Sequence, residues 1–219
     1  MKVRDRLGID AARQRQITRL LQVVLVGLMF IGFDRGSLGI VVNAAVALGV
    51  TYLPAVLERD HNIPMDPALT LWITLAVFLH ALGTVGLPGG TPFYRSVWWW
   101  DHLTHTLSSS VVAAAGYATV RAIEEHTESV YLPGRFIAVF ILLFVVAFGV
   151  FWEVIEFALG GLGSLLGGTS ILTQYGLSDT MLDLLFDALG GLIVAIWGGA
   201  YLSDVTGALR EKLDRRRTP

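Results

Sequence analysis

The 219-residue sequence has no cysteine, and only 16% of its residues are charged. The first absence excludes disulfides, cysteine-ligated zinc or iron–sulfur centres, and thiol nucleophiles. The second excludes an ordinary soluble globule, because soluble domains carry about 25% charged residues and this chain has too little polar surface to cover a fold of its size. A formal net charge of -2 gives no electrostatic footprint for nucleic acid, so no nucleic-acid partner is expected. What the chain has in abundance is apolar: 54% of its residues are hydrophobic. These proportions predict an all-α, polytopic integral membrane protein whose immediate partners are membrane lipids.

A spanning helix needs about 20 mainly apolar residues. Six such runs are expected, at about 17–33, 36–57, 68–87, 98–120, 135–159 and 179–203. Asp34 and Arg35 separate the first two, which therefore read as a tight helical hairpin. Pro64 and Pro67 precede the third run, and Pro88, Gly89 and Gly90 end it, as expected of prolines near helix starts and breakers past helix ends. The runs are too long for strands and show no period-2 alternation. The chain thus divides into a basic N-terminal segment (1–16), a six-helix transmembrane domain (17–203) and a basic C-terminal tail (204–219).

Orientation follows from the flanking Lys and Arg. With a cytoplasmic N-terminus, Lys2, Arg4, Arg6, Arg13, Arg15, Arg19, Arg59, Arg121, Arg135, Arg210, Lys212, Arg215, Arg216 and Arg217 share one side, leaving Arg35 and Arg95 on the other. Both termini are then cytoplasmic, in the plasma membrane. The N-terminal residues are similar to the basic region of a signal peptide, but no small-residue cleavage site precedes the second run, so the first span is expected to be retained.

Given that orientation, each ionisable residue has a depth. Asp101, His102 and His105 fall at the outer end of the fourth run, Glu153 and Glu156 near the outer end of the fifth, and Asp179, Asp183 and Asp187 in the first turns of the sixth. His80 and Asn43 also fall in the outer half. The run 136–152, by contrast, holds no polar side chain except the Trp152 indole. At about 100 degrees per residue the three aspartates of the sixth run cover about 80 degrees of helix surface, and Asp101, His105 and Ser108 share a face of the fourth. A carboxylate facing lipid costs at least about 2.5–3.5 kcal/mol at the bilayer centre. These groups must therefore face one another, water or a cation.

Crowded carboxylates beside imidazole suit a divalent metal such as zinc, iron or manganese. The expected ligand set is Asp101, His105, Glu153, Glu156, Asp179 and Asp183, with Glu153, Glu156 and His105 as the candidate catalytic groups. Taken singly, Asp101 and Asp179 also read as helix caps, and the whole set also reads as a structural hydrogen-bond network. Trp98, Trp99 and Trp100 read as an interfacial aromatic belt, and His61 and His126 as solvated loop residues. The glycine-rich stretch 160–178 reads as a loop or as a re-entrant segment over the site.

Three blocks carry a family resemblance: Trp100-Asp101-His102-Leu103-Thr104-His105 with Ser108; Trp152-Glu153-Val154-Ile155-Glu156-Phe157; and Gln174 with Asp179-Thr180-Met181-Leu182-Asp183 ahead of Gly190. In this order, over about 57–199, they resemble the YjdF-like inner-membrane proteins, a prokaryotic family classed as a domain of unknown function. The resemblance implies a multi-pass membrane architecture and places Asp101, His105, Glu153, Glu156, Asp179 and Asp183 in the family pattern. His102 and Asp187 are not mapped onto that pattern, and no activity comes with it. The Asp-x-x-x-His pair alone is also similar to VanZ-like membrane proteins.

Three functions fit these observations. The first is a metal-dependent enzyme acting on a lipid or lipid-linked substrate at the outer leaflet, with a Glu as general base and His105 as ligand or proton shuttle. The second is a cation or proton transporter, which intramembrane carboxylates would serve but which lacks polar steps in the inner halves of the fifth and sixth runs. The third is a non-catalytic membrane scaffold.

Overall fold

The computed structural model describes residues 10–87, 89–165, 171–172, 174 and 176–217. Lys2, Arg4 and Arg6 of the basic segment, Pro88, residues 166–170, 173 and 175 of the glycine-rich stretch, and residues 218–219 lie outside them. Among the described residues all regular structure is helical: α1 (Ala11–Asp34), α2 (Leu38–Thr51), α3 (Leu53–His61), α4 (Pro67–Gly83), α5 (Phe93–Ser96), α6 (Trp100–His126), α7 (Gly134–Leu165), α8 (Leu177–Tyr201) and α9 (Ser203–Arg217). Four stretches are long and apolar enough to cross a membrane: Ala11–Asp34, Leu38–His61, Gly134–Gly163 and Leu177–Tyr201. Helix α4 is apolar but shorter, and α6 carries Asp101, His102 and His105 in its first two turns.

Local chemistry sets the helix ends. Helix α1 starts well before the apolar run because Asp10 caps it, accepting from the Arg13 amide at 2.8 Å. It stops in a Schellman turn: Gly36 adopts φ 60°, its amide donates to Phe33 O at 3.1 Å, and the Ser37 amide donates to Gly32 O at 2.8 Å. This is the tight hairpin expected at Asp34 and Arg35. The second run is interrupted at Tyr52, between α2 and α3, where Pro54 has no amide hydrogen to continue the ladder. Asp66 caps α4 and Pro67 occupies its first turn; the helix ends at Gly83, four residues earlier than expected, and Thr84 Oγ1 turns back onto Ala81 O at 2.7 Å. The first part of the glycine-rich stretch, through Leu165, continues α7.

The chain forms two compact units. In the first (1–56, 65–104 and 159–172), α1, α2 and α4 enclose a core of Leu25, Leu28, Ile40, Ala44, Phe78 and Ala81. Gly32 lets α1 meet α2, since a Cβ there would stand 2.9 Å from the Val41 amide nitrogen. The buried Thr51 and Asn43 are satisfied locally: Gln22 Nε2 donates to Thr51 Oγ1 at 3.0 Å, and Asn43 Nδ2 donates to Gly39 O at 2.9 Å and Ile171 O at 2.8 Å. His80 pairs with Tyr94, Nδ1 to Oη 2.8 Å, and the Trp100 indole donates to Leu79 O at 3.1 Å. His80 is thus the packed, hydrogen-bonded kind of histidine.

The second unit (57–64, 105–158 and 173–219) contains most of α6 and α7, all of α8, and α9. Its buried apolar residues include Ala113, Ala118, Ile141, Val145 and Val194. The stretch read as a basic tail is helix α9, anchored rather than free. Leu202 and Thr206 are buried, Asp214 pairs with His126, Arg210 lies 3.9 Å from Glu125, and Lys212 Nζ lies 3.0 Å from His61 Nδ1. His61 is exposed, as expected, and both it and the half-buried His126 contact this helix.

Candidate metal centre

The site is built within the second unit from α6, α7 and α8. Helices α6 and α8 meet through Gly190, where a Cβ would stand 2.5 Å from Thr106 O and 2.9 Å from the Ser110 amide. Such close backbone approach is the usual device of helices that pack in lipid, where small residues replace the missing hydrophobic drive. Thr106 Oγ1 donates to Phe186 O at 3.3 Å across the seam. Ser109 and Ser110 donate to carbonyls of their own helix, so their hydroxyls cost nothing there.

One helical turn beyond Gly190 toward the start of α8, this seam carries His105 between two carboxylates. Its Nδ1 lies 3.2 Å from Asp187 Oδ1 and its Nε2 lies 3.8 Å from Asp183 Oδ1. The side chains are 10%, 8% and 3% exposed, so the three polar groups face one another rather than solvent or lipid. Asp187 is further confined by α7: a Cβ on Gly149 would collide with its Oδ2 and stand 3.0 Å from Leu184 Cδ2. Gly149→Ala is accordingly expected to displace the Asp187 carboxylate while sparing the rest of α7. Partial loss of bound metal in a variant with native helicity by circular dichroism would show it.

The expected site residues separate into groups. Asp101 stands in the first turn of α6, one turn before His105, and these two offer ligand atoms within 4.8 Å of each other, as do His105 and Asp183. Among the described residues Glu153, Glu156 and Asp179 are not members of that cluster. Glu153 is 5% exposed, and its Oε2 accepts from Thr180 Oγ1 at 2.7 Å and from Gln174 Nε2 at 3.2 Å. Glu156 Oε1 accepts from the Trp152 indole at 3.1 Å. Asp179 lies within the first turn of α8, whose N-cap is Gly176; there its charge suits the helix dipole rather than a cap. Asp187, which is not mapped onto the family pattern, is in hydrogen-bond contact with His105. The signal for it was its position two turns after Asp179 on the same stripe, together with a glycine in the apolar run that faces it.

Ligand chemistry can be tested against these distances. Two ligands each about 2.0–2.1 Å from a zinc ion stand about 3.3 Å apart at the tetrahedral angle. The 3.8 Å between His105 Nε2 and Asp183 Oδ1 needs only a side-chain adjustment to reach that value. A metal-binding histidine almost always gives its other ring N–H to a carboxylate, which is the relation of Nδ1 to Asp187. The donor set of His105 and Asp183, with Asp187 beside the other ring nitrogen, therefore fits the chemistry of a divalent ion.

Known proteins agree with the architecture. An uncharacterized protein of Thermotoga maritima is 32% identical over 139 residues, covering 64% of this chain and 66% of the relative, so the match spans just under two thirds of the relative's length. No solved structure matches the chain. The resemblance of the three sequence blocks to YjdF-like proteins is consistent with the family model that matches residues 17–204, described as "Predicted membrane protein (DUF2238)". The chain belongs to that family of membrane-embedded proteins.

Proposed function

We propose that the protein is a metal-dependent enzyme of the plasma membrane, with both termini cytoplasmic, acting on a lipid or lipid-linked substrate at the outer leaflet. The observation that carries this reading is the enclosure of His105 by Asp183 and Asp187. Two buried carboxylates flanking one imidazole leave a net negative charge even when the ring is protonated, and a divalent cation neutralises it. The bias of Lys and Arg toward one side supports the orientation, which puts this cluster near the depth of lipid headgroups and ester bonds.

His105 and Asp183 would hold the ion, while Asp187 fixes the imidazole tautomer. Bound there, the metal would supply a Lewis acid that lowers the pKa of water to about 7. The chain's own groups do the rest. Glu156, half-buried and accepting from the Trp152 indole, is the candidate to accept a proton from the attacking water. The apolar flank of α7 excludes bulk solvent.

Metal analysis of the detergent-purified protein tests this. Near-stoichiometric zinc, iron or manganese is expected in the native chain, and Asp183→Ala should abolish it. Asp187→Asn should retain the site with affinity lowered about 10–100-fold, as for other carboxylates that orient a metal-binding histidine. Native protein without metal, after purification free of chelators and after reloading, would sink the proposal in favour of a structural network.

A further inference from the structure

The second unit buries three carboxylates, Glu153, Asp183 and Asp187. A divalent ion between His105 and Asp183 offsets two negative charges and leaves Glu153 unbalanced. Glu153 also has incomplete surroundings. Its Oε2 has two neutral donors, the Thr180 hydroxyl and the Gln174 amide, but its Oε1 is buried with no hydrogen-bond partner among the described residues. Burying half of a carboxylate without a partner is costly, and the cost is greatest at membrane depth.

We propose that Glu153, with Gln174 and Thr180, forms a second cation site that takes a sodium ion. A hard cation prefers carboxylate, carbonyl and hydroxyl oxygens, and these three side chains supply one of each. Rotating the Gln174 amide by half a turn exchanges its donor for its carbonyl oxygen. One carboxylate among neutral oxygens balances a single positive charge, which selects a monovalent ion over a divalent one. The absence of any imidazole or sulfur donor separates this site from the one at His105. The second site stands on Glu153 and its partners, independently of whether a metal occupies the first.

Thermal unfolding in detergent, followed by tryptophan fluorescence, reads the site. NaCl is titrated against choline chloride at constant ionic strength, with radioactive sodium binding measured in parallel. Sodium should raise the unfolding midpoint saturably, by about 5–10 °C at a hundredfold excess over Kd, with one ion bound per chain. Glu153→Gln should remove both effects, and Thr180→Val should shift the sodium midpoint at least tenfold upward. Asp183→Ala should keep the sodium response while losing the divalent metal, so that the two sites fail separately. A midpoint that responds equally to choline and sodium overturns the proposal, as does a sodium response that survives Glu153→Gln. If Glu153→Gln yields no folded protein, Thr180→Val decides alone, and an unchanged sodium midpoint in that variant overturns the site.

Discussion

Gly190→Ala is expected to be among the most damaging single substitutions in the chain, although it adds one methyl group. The new Cβ would meet Thr106 O at 2.5 Å and the Ser110 amide at 2.9 Å. Both are backbone atoms, so no rotamer change can relieve the contact. Overpacking of a tight core costs about 1–3 kcal/mol and occasionally more; a clash with two backbone atoms of a rigid helix belongs at or above the top of that range. Helices α6 and α8 would have to separate, and His105 would move away from Asp183 and Asp187. The measurement is equilibrium unfolding of the purified variant together with its metal content, both of which should fall. Gly27→Ala is the control: nothing lies within 4 Å of its Cβ position, and an alanine in an open helical position is more favourable than glycine by about 0.5–1 kcal/mol. Equal effects from the two substitutions would refute the packing argument.

His105→Ala should cost about 3–5 kcal/mol, the range found when one member of a buried charge-paired set is removed. The loss is large because the imidazole separates two carboxylates that are 3% and 8% exposed. Without it the two carboxylates confront each other across a cavity. His105→Ala should also lose its metal completely. The double variant His105→Leu/Asp187→Asn should recover part of the stability, because it removes the unbalanced charge along with the ring, but it should recover none of the metal. Chemical unfolding monitored by circular dichroism, with metal analysis alongside, gives both quantities. A fully restored metal content in the double variant would exclude His105 as a ligand.

Much of this arrangement was legible in the residues themselves. The scarcity of charge identified a membrane protein, and the 3.6-residue period placed His105 and the stripe of Asp179, Asp183 and Asp187 on faces able to meet. The relative register of the helices was not legible. Glu153 and His105 fall at a similar expected depth, yet Glu153 engages Thr180 and Gln174, and only the packing of α7 against α8 decides that. Boundaries failed where polar residues extend a helix beyond its apolar run. Asp10 starts α1 ahead of the apolar run, so Arg13 and Arg15 are helical. Helix α9 was concealed by its five basic residues, although Leu202, Thr206, Leu209 and Leu213 recur at helical spacing. The interruption at Tyr52 follows from Pro54, which a hydropathy reading passes over.

The anchoring of α9 bears on how the protein is handled in practice. A chain cut after Tyr201, as one would cut to remove a charged appendage, loses the buried Leu202 and Thr206. It also takes Asp214 from His126 and Lys212 from His61. Such a truncation is an altered protein rather than a trimmed one. An affinity tag placed directly after Arg217 loads the same strap, whereas a flexible spacer ahead of the tag leaves it intact.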